Sequence, residues 1–313
     1  MNRVSPQPAR AAHPLQLALD TLAGVILGKD EQIRLALSCL LARGHVLIED
    51  LPGVGKTTLA QALARAMGLD FARVQFTADL LPTDILGVSI FETADARFEF
   101  HPGPIFTQLL LADEINRASP KTQSALLEAM EEGQVTIDGA TRKLPSPFFV
   151  VATQNPTDQA GTFALPESQL DRFLMRIRLG YPPPEAERRL LAERSRRNML
   201  ADLAPVMTPA DLADAQARCE AVTVREPLLN YILDLITESR RDSAFRHGLS
   251  PRAGLALRRA AQAWAFLDGR DYALPEDVQA VLPAVVDHRL PPGTDDAETV
   301  SPARRLREAV AVP

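Results

Sequence analysis

The sequence predicts an α/β fold: a mostly parallel sheet with helices on both faces, followed by a smaller helical domain. Three observations carry this. Short continuous apolar runs (Val46–Ile48, Leu109–Ala112, Phe148–Ala152) alternate with segments of helical apolar spacing, as strand–helix–strand units require. A glycine-rich loop joins the first of these runs to the helix after it. Beyond Tyr181-Pro182-Pro183-Pro184, a stiff extended stop, strand signals give way to helical ones as far as about Leu290.

Taken in order, Asp30 to Arg43 has its apolar residues at Ile33, Leu37, Leu40 and Leu41, with Asp30 placed to cap a helix and Gly44 to end it. His45 to Glu49 reads as a strand, Lys56 to Met67 as a helix closed by Gly68, and Phe71 to Phe76 and Leu109 to Ala112 as two more strands. Ser119 followed by Pro120 is a cap and a first-turn proline, opening a helix to Glu132. Gln134 to Leu144 alternates about Asp138-Gly139, a strong hairpin signal. Phe148 to Ala152 and Leu174 to Leu179 complete the strands. The expected division is a core over residues 1–182 and a helical domain over 183–313, ending in a short polar tail from Pro291.

Composition narrows the function classes. With 313 residues, 46% apolar and 24% charged, the chain has the make-up of an ordinary soluble protein with ample material for a buried core. A net charge of −6 argues against a dedicated nucleic-acid binder, whose affinity comes from a basic surface. Cys39 and Cys219 lie far apart, the five histidines are scattered, and no spacing suggests zinc. Cys39, in an apolar helical stretch, reads as a core residue. Met1 to Pro14 is polar and lacks the apolar region of a signal peptide, and the apolar runs are too short to span a bilayer. A cytoplasmic protein without membrane insertion is expected. Arg188, Arg189, Arg194, Arg196 and Arg197, interleaved with Glu185, Glu187 and Glu193, read as a solvated, salt-bridged helix face.

The loop carries the first chemistry. Asp50-Leu51-Pro52-Gly53-Val54-Gly55-Lys56-Thr57, with Thr58 after it, follows a strand and opens a helix, the context of a phosphate-binding loop. Gly53 and Gly55 let backbone N–H groups turn inward around phosphate oxygens, and the helix N-terminus adds its positive dipole end. Lys56 is expected to reach the β- and γ-phosphates and the Thr57 hydroxyl to ligate Mg²⁺. Asp50 stands where the usual pattern has its first glycine. Downstream, the apolar strand Leu109–Ala112 ends in Asp113-Glu114. The C-terminal end of a parallel strand faces the ligand crevice, so Asp113 is placed for the metal shell and Glu114 to orient the attacking water. An ordinary Gly-rich turn and an acidic loop are the competing readings of the two motifs taken singly.

The motif set resembles the MoxR branch of AAA+ ATPases. The matching stretches are Glu49 through Thr57, Asp113-Glu114-Ile115-Asn116-Arg117-Ala118, Lys121 through Met130, Ala152-Thr153-Gln154-Asn155-Pro156, and Leu165-Pro166-Glu167 through Leu170-Asp171-Arg172-Phe173. The resemblance runs from about Leu22 to about Arg289, and the Asp50 departure is usual in it. It implies an AAA+ P-loop NTPase core, an αβα sandwich, with a C-terminal helical lid. It implies ATP and Mg²⁺ as cofactors and hydrolysis of ATP. Asn155 becomes sensor 1, bridging γ-phosphate and water. Arg172 becomes the arginine finger entering a neighbour's site, with a pairing to Asp171 or Glu167 as the bland alternative. Arg252, opening a helix at Ser250-Pro251, becomes sensor 2, reaching back to the γ-phosphate. Gly28, in Ile26-Leu27-Gly28-Lys29, falls where the family packs beside adenine. Arg117 matches a family-typical position whose role the sequence does not give, with a contact between subunits as the expectation. Residues of about 79–106 correspond to the helix-2 insert, and about 134–144 to the hairpin before sensor 1. The implied assembly is a homo-oligomer, a hexameric ring, that remodels, activates or metal-loads a protein client, with a von Willebrand factor A domain protein as partner. A metal-chelatase-type subunit and a helicase-like nucleic-acid motor are the rival readings.

Overall fold

The structure, a computed structural model, describes residues 14–93, 96–156, 161–192, 196–291 and 300–313, the side chains of 196–198 excepted. Met1 to His13 and the Glu193, Arg194, Arg196 and Arg197 part of the mixed-charge run lie outside the described residues and side chains.

Two helices, α1 (Pro14–Val25) and α2 (Asp30–Leu41), precede strand β1 (Val46–Glu49). Then follow α3 (Lys56–Ala66), β2 (Phe71–Gln75), α4 (Pro82–Leu86), β3 (Gly87–Glu92), β4 (Arg97–Pro102) and β5 (Leu109–Asp113). A 3-10 turn (Ile115–Arg117) leads to α5 (Pro120–Glu132), the hairpin β6 (Gln134–Ile137) and β7 (Ala140–Lys143), β8 (Phe149–Gln154), α6 (Glu167–Leu170) and β9 (Met175–Ile177). The described elements after β9 are helices: α7 (Pro184–Ala192), α8 (Arg196–Ala201), α9 (Pro209–Glu220), α10 (Glu226–Arg241), α11 (Pro251–Leu267), α12 (Pro275–Val286) and α13 (Pro302–Ala309).

The central sheet is parallel, in the order β2-β5-β8-β1-β9. The inner strands β1, β5 and β8 read as nearly continuous apolar runs because both faces are covered, whereas β2 and β9 at the sheet edges carry Arg73 and Arg176. Val46, Ile48, Leu109, Leu111, Phe149 and Val151 face one core, with α2 and α3. Leu47, Leu110, Ala112, Val150 and Ala152 face the other, with α5. Each fully buried Leu, Val or Ile contributes about 1.5–3 kcal/mol relative to exposure. The first core runs without a break into α9–α12, so the helical domain shares hydrophobic packing with the nucleotide core, and α11 rests on α2.

Local signals explain the boundaries. The Ser119 hydroxyl accepts from the Thr122 N–H, Pro120 occupies the first turn of α5, and Gly133 ends the helix at φ 62°. Asp138 and Gly139 both take positive φ (52° and 75°), the turn that matches the twist of a two-residue hairpin. Two expectations need correcting. Asp30 is the first residue of α2, and the cap position belongs to Lys29, which makes no side-chain cap bond; Asp30 instead places its charge in the first turn, where the dipole favours it. Helix α1 was not anticipated, although Leu15, Ala18, Leu22 and Val25 form its buried stripe. The insert expected over about 79–106 is α4 with the hairpin β3–β4, whose Phe91 and Phe98 rings meet edge to face at 5.3 Å and are exposed.

Candidate active site

Strand β1 lies between β8 and β9, so the chain reverses direction across the sheet beside it. The crevice at the C-terminal strand ends there is where an open α/β sheet takes a ligand. The loop 50–55 fills that position. Gly53 and Gly55 sit at φ +85° and +98°, and a Cβ on either meets nothing within 4 Å. Glycine is therefore required by conformation, and the cradle is open. The Leu59 N–H bonds the Gly55 carbonyl at 3.0 Å, which leaves the first N–H groups of α3, those of Lys56, Thr57 and Thr58, as the unpaired donors of a helix start. Pro52 is exposed and Val54 half-buried against the core.

The Lys56 ammonium donates to the carbonyls of Asp50 and Leu51. Burial lowers its pKa, against the opposing charges of Asp50, Asp113 and Glu114, so these three carboxylates gather round it. Asp50 also explains its departure from glycine. Its carboxylate accepts from the Leu51 N–H (2.8 Å) and from the Gly180 N–H (2.6 Å), tying the loop to the chain that leaves β9. Lys29 donates to the Tyr181 carbonyl at 2.6 Å on the same stretch. Gly28, at φ +67°, packs where a Cβ would lie 2.7 Å from Pro183. The segment 26–29 therefore borders the loop through the residues 180–183.

Asp113 and Glu114 end β5, next to β8. The Thr153 hydroxyl donates to Asp113 Oδ1 (2.6 Å) and accepts the Glu114 N–H (2.9 Å), fixing both acids from one side chain. Arg73 pairs with Asp113 Oδ2 at 2.7 Å. Glu114 holds φ 56°, an uncommon left-handed conformation for a residue with a side chain. Its Oε2 accepts from Gln75 Nε2 (2.9 Å) and pairs with Arg117 Nε (2.9 Å). Arg117, expected at a subunit contact, thus reaches the acid within its own chain. Asn155 directly follows β8, whose Gln154 carbonyl accepts the Asp50 N–H (3.1 Å), so it stands at the mouth of the same crevice. Glu49, beside it, is held by Gln154 (2.7 Å) and Arg178 (2.7 Å), with Arg176 at 3.3 Å.

Arg172 and Arg252 are elsewhere. Arg172 precedes β9, and its Nε pairs with Glu131 Oε2 at 3.2 Å. Arg252, in the first turn of α11, pairs with Glu131 Oε1. Glu131 lies in the last turn of α5, beside Met130, whose carbonyl contacts His45 at the start of β1. The Leu174 N–H bonds the His45 carbonyl. These contacts put both arginines at the N-terminal end of the parallel strands, whereas the phosphate loop lies at the C-terminal end. The expectation that Arg252 reaches back to the γ-phosphate of its own chain is therefore corrected: docking α11 on α2 carries its N-terminus to the far end of the sheet. Nor does Arg172 pair with Asp171 or Glu167. Asp171 is taken by Arg289, which is buried and donates to it at 2.6 Å and to the Phe173 and Leu174 carbonyls. Gln75, Arg73, Thr153, Glu131 and Arg289 had no assigned role from sequence. Their partners lie 39 to 40 residues away for the first three, and only spatial adjacency reveals them.

A parallel sheet with a glycine cradle at its switch point, a lysine among carboxylates, a paired acid on the neighbouring strand and a helical lid define a P-loop ATPase of the AAA+ class. A family model for the ATPase family associated with various cellular activities (AAA) matches residues 45–175, and one for the AAA lid domain matches 237–309. Chaperone MoxR1 of Mycobacterium tuberculosis is 40% identical over 97% of this chain and 84% of its own length. Protein MoxR of Paracoccus denitrificans is 35% identical over 93% and 90%. A crystal structure of a candidate ATPase from Cytophaga hutchinsonii superposes with a TM-score of 0.88 at 37% identity, covering 96% of this chain and 95% of that one. The chain belongs to the MoxR family of AAA+ ATPases, and its reaction is the hydrolysis of ATP.

Proposed function

We propose that this ATPase works as a homo-oligomeric ring, hexameric and cytoplasmic, in which each nucleotide is held by one subunit and completed by the arginines of the next. One observation carries the reading: Arg172 and Arg252 sit at the opposite end of the sheet from the phosphate loop of their own chain. In a head-to-tail ring, the two ends of neighbouring sheets face each other. The loop N–H groups and Lys56 bind the β- and γ-phosphates, with Pro52, Gly53, Val54, Gly55 and Thr58 shaping the cradle and the 26–29 segment beside the base. Thr57 and Asp113 are oxygen donors of the kind Mg²⁺ takes, next to an open cradle, and fit such an ion. Bound there, the ion neutralises charge on the β- and γ-phosphates. Glu114 exchanges its Gln75 or Arg117 contact for the lytic water and orients it on the γ-phosphorus, and Asn155 holds that water against the phosphate. The γ-phosphorus bond to the bridging oxygen breaks as the water oxygen bonds, that oxygen leaves with the electron pair as ADP, and the water proton passes to the Glu114 carboxylate or the phosphate formed. Arg172 and Arg252 of the neighbour stabilise the charge on the transferring group.

The work done is remodelling, activation or metal-loading of a protein client, with a von Willebrand factor A domain protein as partner. The exposed apolar hairpin β3–β4 supports contact with a protein, and the net charge of −6 gives nucleic acid no general attraction. The lid is taken to begin at residue 183. Turnover measured against protein concentration, with mass in solution alongside, tests the ring. Specific activity is expected to rise with assembly and to vanish in Glu114→Gln and Arg172→Ala, both still binding nucleotide. An active monomer, or loss of nucleotide binding in Arg172→Ala, overturns the shared site.

A further inference from the structure

Glu131 is an acid in an unfavourable place. It lies in the last turn of α5, where the negative end of the helix dipole disfavours a carboxylate, and Glu132 follows it at the helix end. It faces a cleft of about 500 Å³ between core and lid, lined by five arginines, Arg43, Arg172, Arg252, Arg259 and Arg289, against two acids, Glu131 and Asp171. Asp171 is engaged by Arg289 and lies 3.4 Å from the Ser250 hydroxyl. Glu131 is therefore the only other carboxylate lining the cleft among the described residues, and its two oxygens are divided between two domains: Oε2 to Arg172 of the core and Oε1 to Arg252 of the lid.

The atoms used matter. Glu131 meets Arg172 at Nε, on the inner edge of the guanidinium. It meets Arg252 at one terminal amino group. All three side chains are about one-third to one-half exposed, so the cluster is open to a neighbour. Two guanidinium groups sharing one carboxylate keep a net positive charge for a phosphate, yet are held close without repelling each other apart. We propose that Glu131 is a positioning residue that clamps Arg172 and Arg252 into one preformed fork, presented to the γ-phosphate bound by the adjoining subunit. This rests on the shared-site reading above and adds to it a residue that touches no substrate. The fork is built before assembly, so its order is a property of each subunit and not of the contact between subunits. Because Glu131 joins a core arginine to a lid arginine, the clamp also makes the fork depend on the angle between the domains.

The test is turnover in mixed rings. Glu131→Ala alone is expected to lower kcat about 10²-fold, the scale of a misplaced catalytic group, with unchanged affinity for a fluorescent ATP analogue. Glu131→Gln, which keeps an acceptor oxygen for Arg172, falls less. Glu131→Ala is then mixed with Glu114→Gln, whose own site is dead but whose arginine face is intact. Roughly a quarter of the interfaces in a randomly mixed ring join a sound loop to a sound fork, so turnover returns. Arg172→Ala mixed with Glu114→Gln runs in parallel. Recovery in both mixtures supports the clamp. Recovery with Arg172→Ala but not with Glu131→Ala, or wild-type kcat in Glu131→Ala alone, overturns the clamp and leaves the shared site standing. Failure of both mixtures removes the shared site and the clamp with it. Should Glu131→Ala not fold, Glu131→Gln goes through the same mixing, with the same outcomes.

Discussion

Arg289→Met tests what fastens the lid to the segment carrying Arg172. The Arg289 side chain is 5% exposed, and burial pulls its pKa down against the opposing pull of Asp171. It donates to Asp171 Oδ1 at 2.6 Å, to the Asp171 carbonyl at 3.1 Å, to the Phe173 carbonyl at 2.6 Å, to the Leu174 carbonyl at 3.2 Å and to the Val285 carbonyl. Methionine fills a similar volume and makes none of these bonds. Breaking one side of a buried ion pair costs about 3–5 kcal/mol, mainly because the partner charge stays behind. Asp171 is 23% exposed and keeps Ser250 nearby, so it regains some hydration and the lower end, about 3 kcal/mol, is expected. Urea unfolding followed by fluorescence measures it. Trp264 is the only tryptophan, sits in α11, and lies against the Arg34 guanidinium at 4.2 Å, so it reports the lid. In the double variant Asp171→Asn/Arg289→Met no charge is stranded, and the loss should be smaller than the sum of the single losses by about 1–3 kcal/mol. Strict additivity, or a single-variant loss under about 0.5 kcal/mol, refutes this fastening of Arg289 to Asp171.

Two further outcomes follow from the same structure. Burial holds the His45 imidazole at about 4 against an ordinary 6.5, and burial followed by the Arg289 charge moves His288 the same way. Both are neutral when folded and take up protons on unfolding. Stability is therefore full above about pH 6.5 and falls as the pH drops toward 4, by roughly 1.5 kcal/mol from His45 between pH 6.5 and 5; a melting temperature that is flat over that window contradicts it, and His45→Gln should shrink the slope. Gly28→Ala forces a Cβ against Pro183 at φ +67° and should cost about 1–3 kcal/mol by thermal melting. Gly55→Ala meets no atom within 4 Å, so its strained φ should show chiefly as lost ATP-analogue binding, and equal effects of the two on both readouts would count against this division.

What could be read in advance was local. Ser119-Pro120 and Gly133 bound α5 because a cap, a proline and a left-handed glycine act within one turn. The inner strands were legible because burial on both faces leaves them nearly continuously apolar, and the phosphate loop because Gly53, Gly55 and Lys56 fall within four residues. Helix α1 was missed, its stripe of Leu15, Ala18, Leu22 and Val25 masked by the proline-bearing polar stretch before it. Thr153 was visible as part of a motif, but its bond to Asp113 needs β8 laid beside β5. Gln75 is an ordinary last residue of a strand until β2 is placed at the edge of β5, where its amide meets Glu114.

Arg252 shows where local reading ends. Ser250-Pro251 does start a helix, with the Ser250 hydroxyl accepting the Ala253 N–H at 3.2 Å. Which end of the sheet that helix points to is not a local property. It is set by the small apolar face of α11 (Ala253, Ala256, Leu257, Ala260) joining the core that α2 shares, by Gln216 donating to the Leu40 carbonyl at 2.8 Å, and by the Arg289 bonds to Asp171 and Phe173. Those contacts place a lid arginine and a core arginine on one carboxylate, with the length of the sheet between them and the loop they are suited to serve. Bringing Arg252 to the phosphate of its own chain would require unpacking α11 from α2 and stranding Asp171, and Arg172, fixed ahead of β9, would stay behind. Bringing them to a phosphate on another chain requires neither. On the shared-site proposal, the lid's docking thus makes assembly the less costly route to a complete site, because one subunit holds the phosphate loop and the two arginines at opposite ends of its sheet.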